Sequence, residues 1–308
     1  MSRPALRFGL IGTGIWVRDV QAPAAAASTA VQFAGLYGRN GAAAAEIAGA
    51  HGVQAFTDLD QFLDQVDIVG IALPPAAQPE FALAAIAAGK HLVLEKPVAL
   101  EPDAATAIAD GLEAKGLKSL VFFTSLLNHR NQTWLADVAA VGGWTGGRVD
   151  AFSGVLVDAN NPFHSTAKWR AGTGALWDTT PHAVAMLVEI FGPVVEVTAS
   201  AGQGDLKAAI LTHRDGGLST INIALDMPPS VLGETVIYGS AGKRALPIAV
   251  LDWKTNARQV YGAALGALVG SIDGQPTRLP DARFGAYVTT IIAALEQSLA
   301  EHRAIQLA

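Results

Sequence analysis

The chain has 308 residues, enough for two ordinary domains, and its balance of 51% hydrophobic to 16% charged residues is typical of a folded α/β protein and argues against disorder. The formal net charge of -6 gives no electrostatic case for a nucleic acid or an anionic membrane as partner. Because cysteine is absent, disulfides, thiolate nucleophiles and cysteine-ligated metals are excluded.

The amino-terminal stretch MSRPALRFGLIGTGIW does not fit a secretory signal, because glycines interrupt its apolar run before any cleavage site appears. No apolar run approaches the roughly 20 residues that a membrane span needs. The sequence therefore predicts a cytoplasmic protein with no membrane partner.

The first 120 or so residues alternate short apolar runs with alanine-rich helical segments. We expect strands at 6–12, 31–38, 67–73, 91–95 and 118–124, and helices at 42–52, 79–89 and 103–116. Strands that alternate with helices of about 10–15 residues require right-handed crossovers. This part of the chain predicts a doubly wound parallel sheet.

After about residue 124 the pattern changes to strands that are joined by short turns. In this half we expect hairpin loops at 214–217 and 240–243 and helices at 181–192 and 284–302. The pattern predicts an α+β domain with an antiparallel sheet. On this change alone the first domain spans residues 1–123 and the second spans 124–308.

A glycine motif follows the first predicted strand and precedes a segment that can open a helix. In that context two glycines allow a tight turn and bring the backbone close to a pyrophosphate at a helix N-terminus. The third glycine of the usual fingerprint is replaced by Val17, so the motif alone fits an ordinary strand–helix turn equally well. The surrounding βαβ pattern favours dinucleotide binding. The predicted contacts of this turn are Gly12, Thr13, Gly14, Ile15 and Trp16.

The residues after the second predicted strand indicate which dinucleotide is bound. NAD sites usually place an acid about 20 residues after the glycine motif to hold the ribose diol, yet no Asp or Glu occurs between Asp19 and Glu46. Gly38 leaves space where the acid would stand, and Arg39, followed by Asn40, can pair with a 2′-phosphate. The alternative for Arg39 is a solvated turn residue. We predict NADP as the cofactor, with NAD possible.

The segment KHLVLEKPVAL places a lysine, Lys96, directly after a buried strand. If a dinucleotide crosses the carboxyl ends of the strands, Lys96 stands beside the nicotinamide and can stabilise the negative oxygen that develops during hydride transfer. The alternative is a surface lysine whose stem covers the edge of the sheet. Further cofactor contacts are expected from the neighbouring residues and from the loop after the fourth strand, at Glu95, Pro97, Leu73, Pro74 and Gln78.

A second motif, GTGALWDTTPHAV, occupies residues 172–184. Thr180 can cap a helix whose first turn contains Pro181 and His182. A helix N-terminus disfavours imidazolium, which keeps His182 neutral and able to accept a proton near pH 7. Asp178, just outside this helix, can orient the imidazole or bind a substrate hydroxyl. For this motif in isolation a structural role, with Asp178 as a cap and His182 packed on strands, is favoured.

Taken together, the Gly-Thr-Gly turn, GKHLVLEKP and GTGALWDTTPH resemble the Gfo/Idh/MocA family of NAD(P)-dependent oxidoreductases, over nearly the whole chain. The resemblance implies a Rossmann domain followed by a domain with an open, mainly antiparallel sheet, through which such proteins commonly form homo-oligomers such as dimers or tetramers. It implies that Lys96 contacts substrate and nicotinamide ribose, with a peptide before Pro97 that is often cis. It also implies that Asp178 and His182 bind substrate and exchange the hydroxyl proton. Gln78 stands where the family often has histidine.

The resemblance leads us to expect reversible hydride transfer between NADP and a secondary alcohol or carbonyl of a sugar, cyclitol or related polyol. Two alternatives stay open: an NAD-dependent glycosidase-type hydrolase that retains its cofactor, and a non-catalytic dinucleotide-sensing protein. No metal site is predicted, because the seven histidines form neither H-E-x-x-H nor a paired zinc spacing. The sequence assigns no role to Arg130, Lys168 or Arg170.

Overall fold

The computed structural model describes residues 4–164, 168–231, 233–247 and 252–307. The chain divides into two compact units, each built from two separate segments. The first unit is Met1–Thr124 with Leu251–Ala286, and the second is Ser125–Val250 with Tyr287–Ala308. The division after residue 124 lies one residue from the predicted boundary. The prediction assigns residues 251–286 to the second domain, whereas in the structure they belong to the first unit.

The first unit contains a parallel sheet of six strands in the part of the chain that the structure describes. Strands β1 to β6 are Leu6–Ile11, Val31–Tyr37, Gln54–Phe56, Ile68–Ile71, His91–Leu94 and Ser119–Val121. A π-helical turn, Val17–Gln21, precedes helices α1 to α5, which are Ala22–Ala26, Gly41–Ala50, Leu59–Asp64, Gln78–Ala87 and Pro102–Ala114. The strand order is β3-β2-β1-β4-β5-β6. The predicted doubly wound sheet is confirmed, and its order reverses between β1 and β4.

The central strands are short and apolar because helices cover both faces of a parallel sheet. Every residue of β4 is buried, and so are the three large side chains of β5, Leu92, Val93 and Leu94. Side-chain caps fix the start of two crossover helices: Asn40 accepts the Ala43 N–H at α2 and Asp58 does the same for Gln61 at α3. Strand β3 and helix α3 were not predicted, since three and six residues are too short to show a period.

The second unit contains a mixed sheet of seven strands among the described residues. Strands β7 to β13 are Trp144–Phe152, Val194–Ala201, Lys207–His213, Leu218–Ala224, Glu234–Gly239, Gly242–Ala245 and Ile305–Gln306. Helices α6 to α9 are Thr124–Leu127, His129–Val141, Lys168–Asp178 and Thr180–Phe191. Strands β7 and β10 pair in parallel, and the other neighbours in the order β12-β11-β7-β10-β9-β8-β13 are antiparallel. The predicted fold class is confirmed.

Two long helices, α10 at Trp253–Ile272 and α11 at Ala282–Glu301, follow β12. Helix α10 belongs to the first unit because its fully buried Tyr261 packs edge-on against Phe8 and Phe122, with ring centroids 6.4 and 4.9 Å away. This aromatic contact is the physical reason that the predicted domain boundary is incomplete. Among the described residues, none of the helices combines the length and apolar character that a membrane crossing needs.

Candidate functional site

The glycine turn after β1 has the geometry of a dinucleotide-binding turn. Gly12 has a φ of 128°, and a Cβ at this position would lie 2.5 Å from the Ala72 carbonyl oxygen, so only glycine fits. At Gly14 a Cβ would meet no atom within 4 Å. The backbone there faces open space, as the approach of a pyrophosphate requires. Val17, in place of the third glycine, is fully buried and opens a π-helical turn.

The aromatic residue of this turn makes a contact that the sequence did not indicate. Trp16 is half-buried, and its ring stacks on that of Trp253 in α10 with a centroid distance of 6.1 Å and an interplanar angle of 9°. Thr13 and Ile15 are also half-buried. Both tryptophans belong to the first unit, so this stacking joins α10 to the glycine turn.

Gly38, directly after β2, has little room for a side chain. A Cβ at Gly38 would lie 2.5 Å from Thr13 Cγ2 and 3.2 Å from the Ala44 Cβ. Any larger residue at position 38 would therefore push against the glycine turn. Arg39 and Asn40 are exposed, and the Asn40 side chain caps α2. Of the two, Arg39 is the residue that keeps its polar head available for a ligand.

The loop after β5 carries the predicted lysine. Lys96 is half-buried, and the Lys96–Pro97 peptide is cis. Glu95 accepts a hydrogen bond of 2.8 Å from Gln21 Nε2, which lies in the helical turn that follows the glycine motif. Burial raises the pKa of the Glu95 carboxyl from 4.5 to about 7, and the Lys96 ammonium and hydrogen bonds from Trp16 and Gln21 offset only part of this rise.

Glu95 gives a prediction for stability against pH. Its pKa in the folded state lies above the ordinary value, so its contribution to stability is fully present below about pH 4.5 and is lost as pH rises through about 7. Glu95→Gln mimics the protonated acid. The free energy of unfolding of this variant, relative to wild type, should rise by roughly 1–3 kcal/mol between pH 5 and pH 8.5.

Urea denaturation at a series of pH values measures this difference. Glu80→Gln, which changes an exposed glutamate of α4, is the matched control and should leave the pH dependence as it is. A difference that stays constant over the range for Glu95→Gln would contradict the prediction.

The loop after β4 differs from the expectation at one residue. Leu73 is half-buried and Pro74 is exposed, so both can contact a ligand. Gln78 is fully buried, and its amide bonds to the backbone of residues 95–98. Gln78 therefore has no exposed polar atom with which to make the expected cofactor contact, because the backbone of residues 95–98 bonds to both its Nε2 and its Oε1.

The aspartate of the second motif ends a helix, α8, that is not among the predicted helices. This helix is kinked at Gly174, where φ is 67° and ψ is -168°. Asp205 fixes the kink from a neighbouring loop, since its Oδ2 accepts the Ala175 N–H at 2.9 Å and the Leu225 N–H at 3.0 Å. Asp178 therefore projects from the last residue of a short, anchored helical turn.

Asp178 is buried and paired. Arg170 Nε lies 2.7 Å from Asp178 Oδ2, and the two side chains are only 16% and 10% exposed. The Arg170 guanidinium also stacks 4.6 Å from the centre of the Trp169 ring. The structure thus gives Arg170 a role that the sequence left open: it holds the carboxylate of the motif in one orientation.

His182 lies in the first turn of α9, as predicted, and is half-buried. The helix cap is Thr179 rather than Thr180, and it makes no side-chain cap bond. The His182 N–H donates to the Thr179 carbonyl at 3.1 Å, and Ser125 Oγ donates to the His182 carbonyl at 3.2 Å. Both backbone groups of the histidine are fixed within the second unit.

Arg130 and Lys168 are the two remaining cations near the motifs. Arg130 bonds to the Asn131 side chain through Nε and Nη2 at 3.2 and 3.0 Å. The Lys168 side chain lies outside the described part of the structure. Among the described residues, no group of three His, Asp or Glu side chains is arranged to hold a metal ion.

Sequence reasoning missed Gln21, Asp205 and Trp253 and left the role of Arg170 open. All four support the predicted residues from elsewhere in the chain. A buried glutamine just after the glycine motif and an arginine eight residues before Asp178 are weak signals that could have pointed to two of them. Nothing local marks the other two, because their partners lie far away in the sequence.

Both parts of the chain match models of one family. Residues 6–123 match the GFO_IDH_MocA oxidoreductase family with an NAD-binding Rossmann fold, and residues 145–244 match the GFO/IDH/MocA C-terminal domain. The chain is 24% identical to dTDP-3,4-didehydro-2,6-dideoxy-alpha-D-glucose 3-reductase of Streptomyces antibioticus, over 99% of this chain and 94% of the relative. It is 29% identical to scyllo-inositol 2-dehydrogenase (NADP(+)) IolU of Bacillus subtilis, over 63% of this chain and 61% of the relative.

A solved structure supports the fold assignment. The crystal structure of scyllo-inositol dehydrogenase from Lactobacillus casei with bound NAD(H) and scyllo-inositol has a TM-score of 0.83. It covers 98% of this chain and 99% of its own, at 18% sequence identity. With both family models matched in order along the sequence, the chain belongs to the Gfo/Idh/MocA family of oxidoreductases.

Proposed function

We propose that the protein transfers hydride between NADP and a secondary alcohol or carbonyl carbon of a sugar, cyclitol or related polyol. The observation that carries this proposal is that the glycine turn and the Lys96 loop both lie at the carboxyl ends of parallel strands in the first sheet. The glycine turn follows β1 and the Lys96 loop follows β5, and both parallel strands flank β4. A dinucleotide that lies over the turn would extend along the same carboxyl edge.

The residues at this edge fit a dinucleotide. The open space at Gly14 leaves room for the pyrophosphate, and Leu73, Pro74 and the Lys96 loop would hold the part of the cofactor beyond it. The nicotinamide, when bound, supplies the hydride chemistry. The protein supplies binding, orientation and the handling of the proton.

Three side chains have roles in this proposal. His182 takes the hydroxyl proton when the alcohol is oxidised and returns it in the reverse direction. Lys96 stabilises the negative charge on the substrate oxygen with its ammonium group. Asp178, held by Arg170 at 2.7 Å, orients the imidazole or a neighbouring substrate hydroxyl.

The proposal is tested by assaying a panel of sugars, cyclitols and keto-sugars with NADP and NAD, in both directions, by the absorbance of the reduced nicotinamide. We expect cofactor reduction in a one-to-one ratio with oxidised product. Product formed without net cofactor reduction would overturn the proposal in favour of a glycosidase-type hydrolase. Cofactor binding without turnover of any compound would favour a sensor.

The preference for NADP gives a separate prediction. Because a side chain at position 38 would push against Thr13, the ribose side of the site lacks an acid, and exposed Arg39 can pair with a 2′-phosphate. We expect a KM for NADP at least about 10-fold below that for NAD, and an increase of about 10-fold in the NADP value alone for Arg39→Ala.

Initial-rate measurements with both cofactors check this expectation. Arg214→Ala, which removes an exposed arginine from the β9–β10 turn, is the matched control and should change neither value. Equal KM values for the two cofactors, or a lower one for NAD, would overturn the preference.

A further inference from the structure

We propose that Gln78 is a positioning residue for hydride transfer: its amide clamps the backbone on both sides of Lys96 and thereby fixes where the ammonium stands. This inference rests on the proposed function, because it assumes that Lys96 acts on the substrate oxygen. It concerns a residue that the sequence analysis had placed among the cofactor contacts.

The clamp consists of four hydrogen bonds made by one side chain, which donates three and accepts one; because Nε2 carries two hydrogens, one N–H is shared between two carbonyls. Gln78 Nε2 donates to the carbonyl oxygens of Glu95, Pro97 and Val98 at 2.9, 3.2 and 3.0 Å. In the opposite direction, the Glu95 N–H donates to Gln78 Oε1 at 2.8 Å. The bonded groups lie directly before and directly after Lys96, so the lysine backbone is held from both sides.

The loop needs such a clamp because its strand has ended. Strand β5 stops at Leu94, and beyond this residue the carbonyl groups of the loop no longer run along a neighbouring strand. Buried backbone carbonyls without partners are costly, and nearly all are paired in folded proteins. Gln78 is the first residue of α4 and has no exposed surface. Its planar amide supplies N–H donors for the loop carbonyls and one acceptor for the Glu95 N–H.

The chemistry of the bonds explains why an amide is needed. Three carbonyl oxygens require N–H donors, whereas the Glu95 N–H requires an acceptor at the same place. A carboxylate has no donor and an alkyl chain has neither function. A neutral side chain with both functions is the arrangement that satisfies this loop.

The same contacts separate a clamp from a cofactor ligand. Both polar atoms of the side chain are engaged by the loop, and the side chain is fully buried. Loss of the clamp should therefore disturb the placement of Lys96. Because the glycine turn and Arg39 lie outside the clamped loop, the affinity for NADP should change far less than kcat. A displacement of about 1 Å at a reacting group can cost about 100-fold in rate.

The experiment compares three substitutions in the full chain. Gln78→Met keeps the volume and removes all four bonds, Gln78→Glu keeps the shape and removes the donors, and Gln78→His restores a donor and an acceptor on a neutral ring. Ser119→Ala is the matched control, because it deletes a buried side-chain bond to the Ala282 N–H, 3.0 Å long, in the same unit. Steady-state kinetics, NADP binding and the melting temperature are measured for each.

We expect Gln78→Met and Gln78→Glu to lower kcat by about 10-fold to 100-fold at temperatures well below melting, with the Kd for NADP within about twofold of wild type. Gln78→His should recover most of the lost kcat. Ser119→Ala should lower the melting temperature with no effect on kcat. Unchanged kcat in Gln78→Met, or a loss confined to the Kd for NADP, would overturn the inference.

A second measurement does not depend on turnover. The rate at which an amine-selective reagent labels Lys96, followed by mass spectrometry, reports the surroundings of its ammonium. We expect this rate to change at least about threefold in Gln78→Met, and in Gln78→Glu if the methionine variant does not fold, while labelling of exposed Lys115 stays constant. An unchanged rate at Lys96 would overturn the clamp.

The two proposals fail in different ways. If the wild-type protein oxidises or reduces no compound of the panel, the proposed function fails, and the labelling measurement still decides whether Gln78 holds the loop. If the wild-type protein is active and the Gln78 variants match it in kcat, the inference about Gln78 fails alone.

Discussion

Replacement of His182 by alanine is expected to lower kcat by about 10²–10⁴-fold and to leave the Kd for NADP within about twofold of wild type. The histidine belongs to the first turn of α9 in the second unit, whereas the glycine turn and Arg39 belong to the first. The substitution therefore removes the proposed proton-transfer group and leaves the residues that are proposed to hold the dinucleotide.

Steady-state kinetics with the best substrate of the panel, combined with NADP titration, measure both quantities. His129→Ala is a matched control, because His129 is an exposed histidine at the first residue of α7 in the same unit. Turnover of the His182 variant within threefold of wild type would refute its role as the acid–base group. A loss of similar size in the His129 variant would point to a general effect on the second unit.

Removal of the Lys96 charge is the second large effect that we expect. Lys96→Met keeps the apolar stem and deletes the ammonium, and kcat should fall by about 10²–10³-fold because the developing negative oxygen loses its counter-charge. The pKa of the Glu95 carboxyl should rise further above 7, since the Lys96 charge is one of the causes that lower it. The two effects are measurable independently, by kinetics and by titration.

Lys118→Met is the matched control for this substitution. Lys118 is exposed and directly precedes β6, whereas Lys96 follows the neighbouring parallel strand β5. Lys118 therefore stands at the amino ends of these strands and Lys96 at their carboxyl ends. The control should retain wild-type kcat. Equal losses in both variants, or a loss below threefold in Lys96→Met, would remove the lysine from the mechanism.

The sequence was most informative where the chain repeats a simple physical rule. Short apolar runs predicted β1, β2, β4 and β5 to within a few residues, because buried parallel strands must be apolar and their carboxyl ends open to solvent. The same rule located Lys96. The mainly antiparallel second sheet followed from the short turns between its strands.

The contacts that support the site were not predictable from such rules. Helix α8 contains Gly172 and Gly174, which indicate a loop, and the distant Asp205 accepts the N–H of Ala175 directly after the kink. Arg170 pairs with Asp178, and Gln78 bonds to the backbone of residues 95–98. Both contacts depend on the three-dimensional positions of the side chains, which the periodicity of the sequence does not encode. The sequence predicts Thr180 as the helix cap and the structure has Thr179, because local chemistry does not separate two adjacent threonines.

The placement of α10 has a consequence for the order in which the protein matures. Tyr261 fills the interior of the amino-terminal unit, between Phe8 and Phe122, so this interior stays incomplete until residues 251–286 have left the ribosome. Domains generally fold one after another as they emerge during synthesis. Here the segment that completes the first interior is made only after residues 125–250, so the first unit cannot close its core as soon as residues 4–124 have emerged.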